Sequence, residues 1–225
     1  MLEDVDEELA TLSRDELALH QKIRIIFMGG ISGVAFNSRG EGGRTGDVDF
    51  SFDTSTPKEV RDIFLKAVDQ MVARKPGKFE TILAIGKPDP INDQWDKHAG
   101  DGAKEALTRE SRLVAWEGNY FTALHGDWRM QLISKMNRIA EWRSRSTEFK
   151  EKDQQDAKLF LQKVRQLPAY ARTLDMNDFV AWGSMLGWDR EQTEALTKVS
   201  MKIVTGDNMP GIAQAIKDAV NRMKC

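Results

Sequence analysis

Residues 27–52 constrain this chain more than any other stretch. They read Phe27-Met-Gly-Gly-Ile-Ser32, then a Gly-rich loop, then Arg44-Thr-Gly-Asp47-Val-Asp49-Phe-Ser-Phe52. An apolar run stops at Gly29-Gly30, and a second apolar segment carries acids at alternate positions. Side chains two apart on a strand share a face, so this spacing places Asp47 and Asp49 side by side. Adjacent anions repel unless a cation lies between them, and a divalent metal with oxygen ligands is the usual answer. The Gly-Gly pair lets a phosphate approach the backbone, and a helix opening at Ile31 or Ser32 would offer it free N–H groups. Each feature alone is satisfied by a turn; together they point to transfer chemistry on a nucleotide.

The string Gly29-Gly30-x-Ser32 followed by Arg44-Thr45-Gly46-Asp47-Val48-Asp49-Phe50 resembles the Gly-Gly and Asp-x-Asp signature of the DNA polymerase β-type nucleotidyltransferase superfamily, and within it the AbiEii-like group. The resemblance implies an α+β fold, a small mixed β-sheet with flanking helices followed by an all-helical C-terminal region. It also implies transfer of a nucleotidyl group from a nucleoside triphosphate, dependent on Mg²⁺ or Mn²⁺. Asp47 and Asp49 would then be the catalytic metal ligands, with Gly29, Gly30, Ser32 and Arg44 around the nucleotide. The superfamily usually adds a third carboxylate from a neighbouring strand. Glu117 is the choice here, ahead of Glu80 and Asp127. The acceptor, whether small molecule, RNA end or protein, is not specified.

At 225 residues, 40% hydrophobic and 30% charged, the chain has length enough for a sizeable core. A net charge of −2 gives no global attraction to nucleic acid or an anionic membrane. The single cysteine, Cys225, allows no disulfide framework and no cysteine metal site. The acidic start, Met-Leu-Glu-Asp-Val-Asp-Glu-Glu, lacks the pattern of a secretory signal, and no apolar run approaches the roughly 20 residues that span a bilayer. The expectation is a cytoplasmic protein without a membrane partner.

Periodicity supplies the elements. Ser13-x-x-Glu16 predicts a helix start, Ile23–Met28 a buried strand, 31–37 a short helix and 47–52 a second strand. Thr56-Pro57-Lys58-Glu59 opens a helix whose stripe is Val60, Ile63, Phe64, Ala67, Val68, Met71 and Val72. Residues 81–85 predict a strand, 86–104 a loop, and 113–116 with 121–124 a hairpin turning at Gly118-Asn119. From Trp128 nearly everything reads helical. The division falls into an αβ domain over 1–127 and a helical region over 128–225, where a helix over 178–186, one capped by Asp189-x-x-Gln192 and a last one beyond Pro210 are expected.

On the helix from Trp128, Gln131, Lys135 and Arg138 fall at i, i+4 and i+7, opposite the apolar stripe, so the pattern alone allows a solvated face. The run Gln-Leu-x-x-Lys-x-x-Arg followed by Lys152-Asp153-x-x-Asp156-Ala157 resembles the Lys helix and Lys-Asp-x-x-Asp helix of AbiEii-like proteins. The resemblance makes Lys135 a triphosphate contact and adds Asp153 and Asp156 to the nucleotide site.

Overall fold

The apolar run Ile23–Met28 forms β1, and it is apolar because both its faces are buried: Ile23, Ile25, Ile26, Phe27 and Met28 are all inside, and only Arg24 reaches water. A computed structural model describes residues 2–16, 22–36, 48–74, 91–92, 113–140, 147–170 and 174–205 of the chain. Within them β1 is the middle strand of a five-stranded mixed sheet of order β3-β2-β1-β5-β4. The others are β2 (Val48–Phe52), β3 (Ile91–Asn92), β4 (Val114–Glu117) and β5 (Phe121–His125). β1 runs antiparallel to β2 and parallel to β5; β2 and β3 are parallel, and β4 and β5 form an antiparallel hairpin.

Alternation along the strands sorts side chains into two cores. Ile25, Phe27, Val48, Phe50, Phe52, Phe121 and Ala123 face α1 (Leu2–Glu16) and α3 (Lys58–Arg74). Phe64 of α3 is the hub of this core, meeting Phe50, Phe52 and Phe121 edge-on with ring centroids 5.3 to 5.7 Å apart. On the other face Ile26, Met28 and Leu124 meet α4 (Trp128–Ala140), α5 (Thr147–Gln166) and α6 (Met176–Met185). The helices from residue 128 onward therefore share a core with the sheet. The fold is a mixed α+β arrangement, with helices on both faces.

Sequence capping places the boundaries of the later helices. Asp175 and Asp178 form a reciprocal capping box at the start of α6. Gly187, at φ 77°, ends it: its N–H donates to Ser184, and that of Trp188 to Gly183. Asp189 and Gln192 then exchange hydrogen bonds to open α7 (Arg190–Thr205).

Two expectations change. Ser13 does not open a helix but lies within α1, because Val5, Leu9 and Leu12 already make an apolar stripe at i, i+4 and i+7 that packs on the sheet. Residues 91–92, read as loop, pair with β2 as a short edge strand. The expected strand at 81–85, the Gly-rich loop at 38–46 and a last helix beyond Pro210 lie outside the described residues. α1 is also fastened by charge: the Asp6 carboxylate accepts from the backbone N–H groups of Asn119, Tyr120 and Phe121 at the β4–β5 turn.

Phe64 is fully buried, whereas Ile63 sits half-buried on the flank of α3. Phe64→Ala should cost about 3–5 kcal/mol in urea unfolding, with Ile63→Ala clearly smaller. Equal losses would place the hub of this core elsewhere.

Candidate functional site

The parallel strands β1 and β5 finish at the same edge of the sheet, and the antiparallel β2 begins there. Register sets Asp49 opposite Met28, so its side chain leaves the sheet on the Met28 face while Val48 and Phe50 enter the other core. Immediately beyond Met28 the chain turns through Gly29, at φ 63° and ψ −127°, into α2 (Gly30–Ala35). A Cβ on Gly29 would stand 3.5 Å from Asp49 Oδ2, and that φ already favours glycine. The half-buried Asp49 carboxylate therefore lies against the backbone of the Gly-Gly turn. Asp47 and Arg44 lie outside the described residues.

The β5–α4 junction grips this turn. The Gly29 N–H donates to Gln131 Oε1 at 3.2 Å, while Gln131 Nε2 donates to the Gly126 carbonyl at 2.8 Å. Inside α2, Ser32 Oγ and His125 Nδ1 share a 3.0 Å hydrogen bond, with both side chains buried. The His125 ring stacks on Trp128 and tilts against Phe36, and the Lys163 ammonium sits 4.1 Å from the centre of the Phe36 ring. Burial, with the Lys163 charge adding to it, lowers the His125 pKa from 6.5 to about 4, so the imidazole is neutral at neutral pH.

Lys135, expected at a ligand-facing or solvated surface, is inside. Its ammonium lies 2.8 Å from Asp153 Oδ1 and 2.8 Å from Asp156 Oδ2, all three side chains being at most 3% exposed. Arg138 Nε adds a second cation 3.3 Å from Asp153 Oδ2, charge against charge without hydrogen-bond geometry. Two anions and two cations thus close a neutral network where α4 packs on α5. The structure brings Lys135, Asp153 and Asp156 together, as the resemblance grouped them, but as each other's partners.

Glu117 is not brought to Asp49. It lies level with Thr122 and hence with Arg24, at the opposite end of β1 from Met28, and it pairs on the surface with Lys22 at 2.9 Å. Three strand spacings across and four residues along put it about 19 Å from Asp49. Asp127 is nearer but committed: it accepts from the N–H of Arg129 at the start of α4 and holds the Arg129 guanidinium at 2.6 Å. Glu80 lies outside the described residues. On β3 the register partner of Asp49 is Asn92. Among the described residues no three acidic, histidine or cysteine side chains converge as a metal-binding group. In the sequence His125 stands in no metal-ligand spacing, and Gln131 shows only as part of a polar stripe. The one signal for both was their position, at the end of an apolar strand and in the first turns of the helix that follows.

Comparison of the chain with known protein families, with curated proteins and with solved structures finds no match. Among the described residues no helix is long and apolar enough to cross a membrane.

Two outcomes follow from these buried groups. Between pH 6.5 and about 4 the unfolded chain holds a proton on His125 that the folded chain refuses. Its contribution is complete above that window and falls by about 3 kcal/mol as pH drops through it. His125→Gln should flatten the measured slope of unfolding free energy against pH; an unchanged slope would assign it to other groups. Removing the Lys135 charge takes a cation at 2.8 Å from two buried carboxylates, a loss that a solvated or ligand-facing lysine would not cause. Lys135→Met should cost about 3–5 kcal/mol, and Lys135→Met combined with Asp153→Leu and Asp156→Leu should recover most of it.

Proposed function

We propose that the chain is a metal-dependent nucleotidyltransferase, moving a nucleotidyl group from a nucleoside triphosphate to an acceptor hydroxyl, on a nucleotidyltransferase fold. The observation that carries this reading is the Asp49 carboxylate lying against Gly29, at the edge where β1 and β5 end and α2 and α4 begin. Crevices outside the carboxyl ends of parallel strands are where α/β sheets bind ligands. Asp49 offers the hard oxygen donor that Mg²⁺ or Mn²⁺ takes, and Asp47 precedes it by two residues in sequence. Such an ion, when bound, neutralises phosphate charge and orients the triphosphate.

In this reading Asp49 holds the ion, and Gly29 and Gly30, lacking side chains, let phosphate oxygens come close to the backbone. Arg44, four residues before β2 in the sequence, supplies positive charge. Ser32 is held by His125 and shapes the wall behind. Lys135, Asp153 and Asp156 act by fixing α4 against α5, so that the residues at the start of α4 keep their place. The acceptor is a hydroxyl on a small molecule, an RNA end or a protein.

A second reading, binding of a nucleotide or protein partner without transfer, is favoured by one observation. Glu117 stands at the far corner of the sheet, and the register neighbour of Asp49 on β3 is an amide, Asn92, which cannot serve as a base. Label from α-phosphate-labelled triphosphates appearing in an acceptor, with pyrophosphate released, decides for transfer; binding without release decides for the second reading.

Calorimetry with each of the four ribonucleoside triphosphates should show binding that depends on Mg²⁺. Asp49→Asn should weaken it by about tenfold or more, the loss of a charge-assisted contact. Isotherms for Asp49→Asn and Asp47→Asn that superimpose on the wild type would remove the metal role.

A further inference from the structure

We propose that Gln131 is a wedge standing in for one rung of the β1–β5 ladder, holding the two strand ends apart beside Asp49; its bearing on ligand binding rests on the function proposed above. In a parallel pair each bonding residue gives its N–H to the carbonyl before its partner and takes the N–H after it. Gly126 makes the first of these bonds, to the Phe27 carbonyl at 3.0 Å. The second would join the Gly29 N–H to the Gly126 carbonyl. Both groups go instead to the Gln131 carboxamide, the N–H to Oε1 at 3.2 Å and the carbonyl to Nε2 at 2.8 Å.

The orientation of the amide is fixed, because only an oxygen can face the Gly29 donor and only an NH₂ can face the Gly126 acceptor. Gln131 is 1% exposed, so water does not compete for either bond. A side-chain amide reproduces the donor and acceptor of a peptide group but inserts its own width between the strands. β1 and β5 therefore separate a single rung before their ladder would end, and the opened edge is the one from which Gly29 leads to α2 and toward which Asp49 Oδ2 points. Gln131 is thus a positioning residue: it sets the Gly29 turn and the opening next to the carboxylate, and touches neither metal nor phosphate itself. The i, i+4 spacing of Gln131 and Lys135 adds a geometric consequence. One face of α4 is tied to the strand ends by Gln131 and to α5 by Lys135, so the wedge cannot swing without disturbing the buried charges.

The experiment uses the full chain, labelled for NMR. In the wild type a coupling through the hydrogen bond should connect the Gly29 amide nitrogen to the side-chain carbonyl carbon of Gln131; a coupling to the Gly126 carbonyl instead means a closed rung, which overturns the wedge. Titrating Mg²⁺ with each ribonucleoside triphosphate should shift the Gly29 and Gly30 amides in the wild type. Gln131→Met keeps the bulk of the side chain without either hydrogen bond. It should lose those shifts and about tenfold or more of the affinity at a temperature where it remains folded. Full affinity with unaltered Gly29 and Gly30 shifts in Gln131→Met overturns the positioning role. A wild type that binds none of the four triphosphates removes the proposed function, and the coupling alone then decides for or against the wedge.

Discussion

The whole arrangement depends on β1 being buried on both faces and paired on both edges. A strand in that position must be apolar throughout, must satisfy its backbone through two neighbours, and divides the interior into two cores that never mix. Phe27 and Ile25 anchor α1 and α3 on one side; Ile26 and Met28 anchor α4, α5 and α6 on the other. Such a strand can end only where its last hydrogen-bonding groups find other partners. That need arises at Gly29, and the chain meets it with a side chain from α4.

Sequence revealed the elements in which local and global demands agree. β1, the alternating Val48–Phe52, the striped α3 and the hairpin at Gly118-Asn119 were all legible, because their apolar periods match the faces they bury. α1 was not, since Asp4, Asp6 and Glu8 interrupt its stripe and acids are ordinarily read as solvent-facing; here they are largely buried. The polar side of α4 misled for the same reason. The amphipathic rule assumes that a polar face meets water, yet Gln131 and Lys135 meet strand ends and carboxylates. Of the candidate site, Asp49 and Gly29 were grouped by the family resemblance, and the β1–β2 register is what brings them together. The distance of Glu117 was not legible, because strand order and register are long-range properties that no local pattern encodes.

Among the described residues, buried polar contacts gather at one level of the interior. Asp49, Gly29, Gln131, Ser32 and His125 cluster where strands end, and the Lys135 network lies further along the same helix. Desolvating charges is unfavourable, and apolar residues of equal volume would often hold α4 to α5 at least as well. What an ionic pattern adds is discrimination among arrangements. A helix packed through Leu132, Ile133 and Met136 alone could rotate or slide by a small step at modest cost, whereas displacing Lys135 takes its ammonium from two buried carboxylates at once.

The Asp6 carboxylate collects its three N–H partners from a turn 113 to 115 residues further along the chain. Until residues 119–121 have left the ribosome, α1 carries an acid with no destination and an apolar stripe with an incomplete wall. Its docking is therefore an event of high contact order, paid in loop-closure entropy and returned only when the β4–β5 turn arrives. The order of synthesis and the order of docking are thus opposed for α1: it is made before the turn that holds its acid.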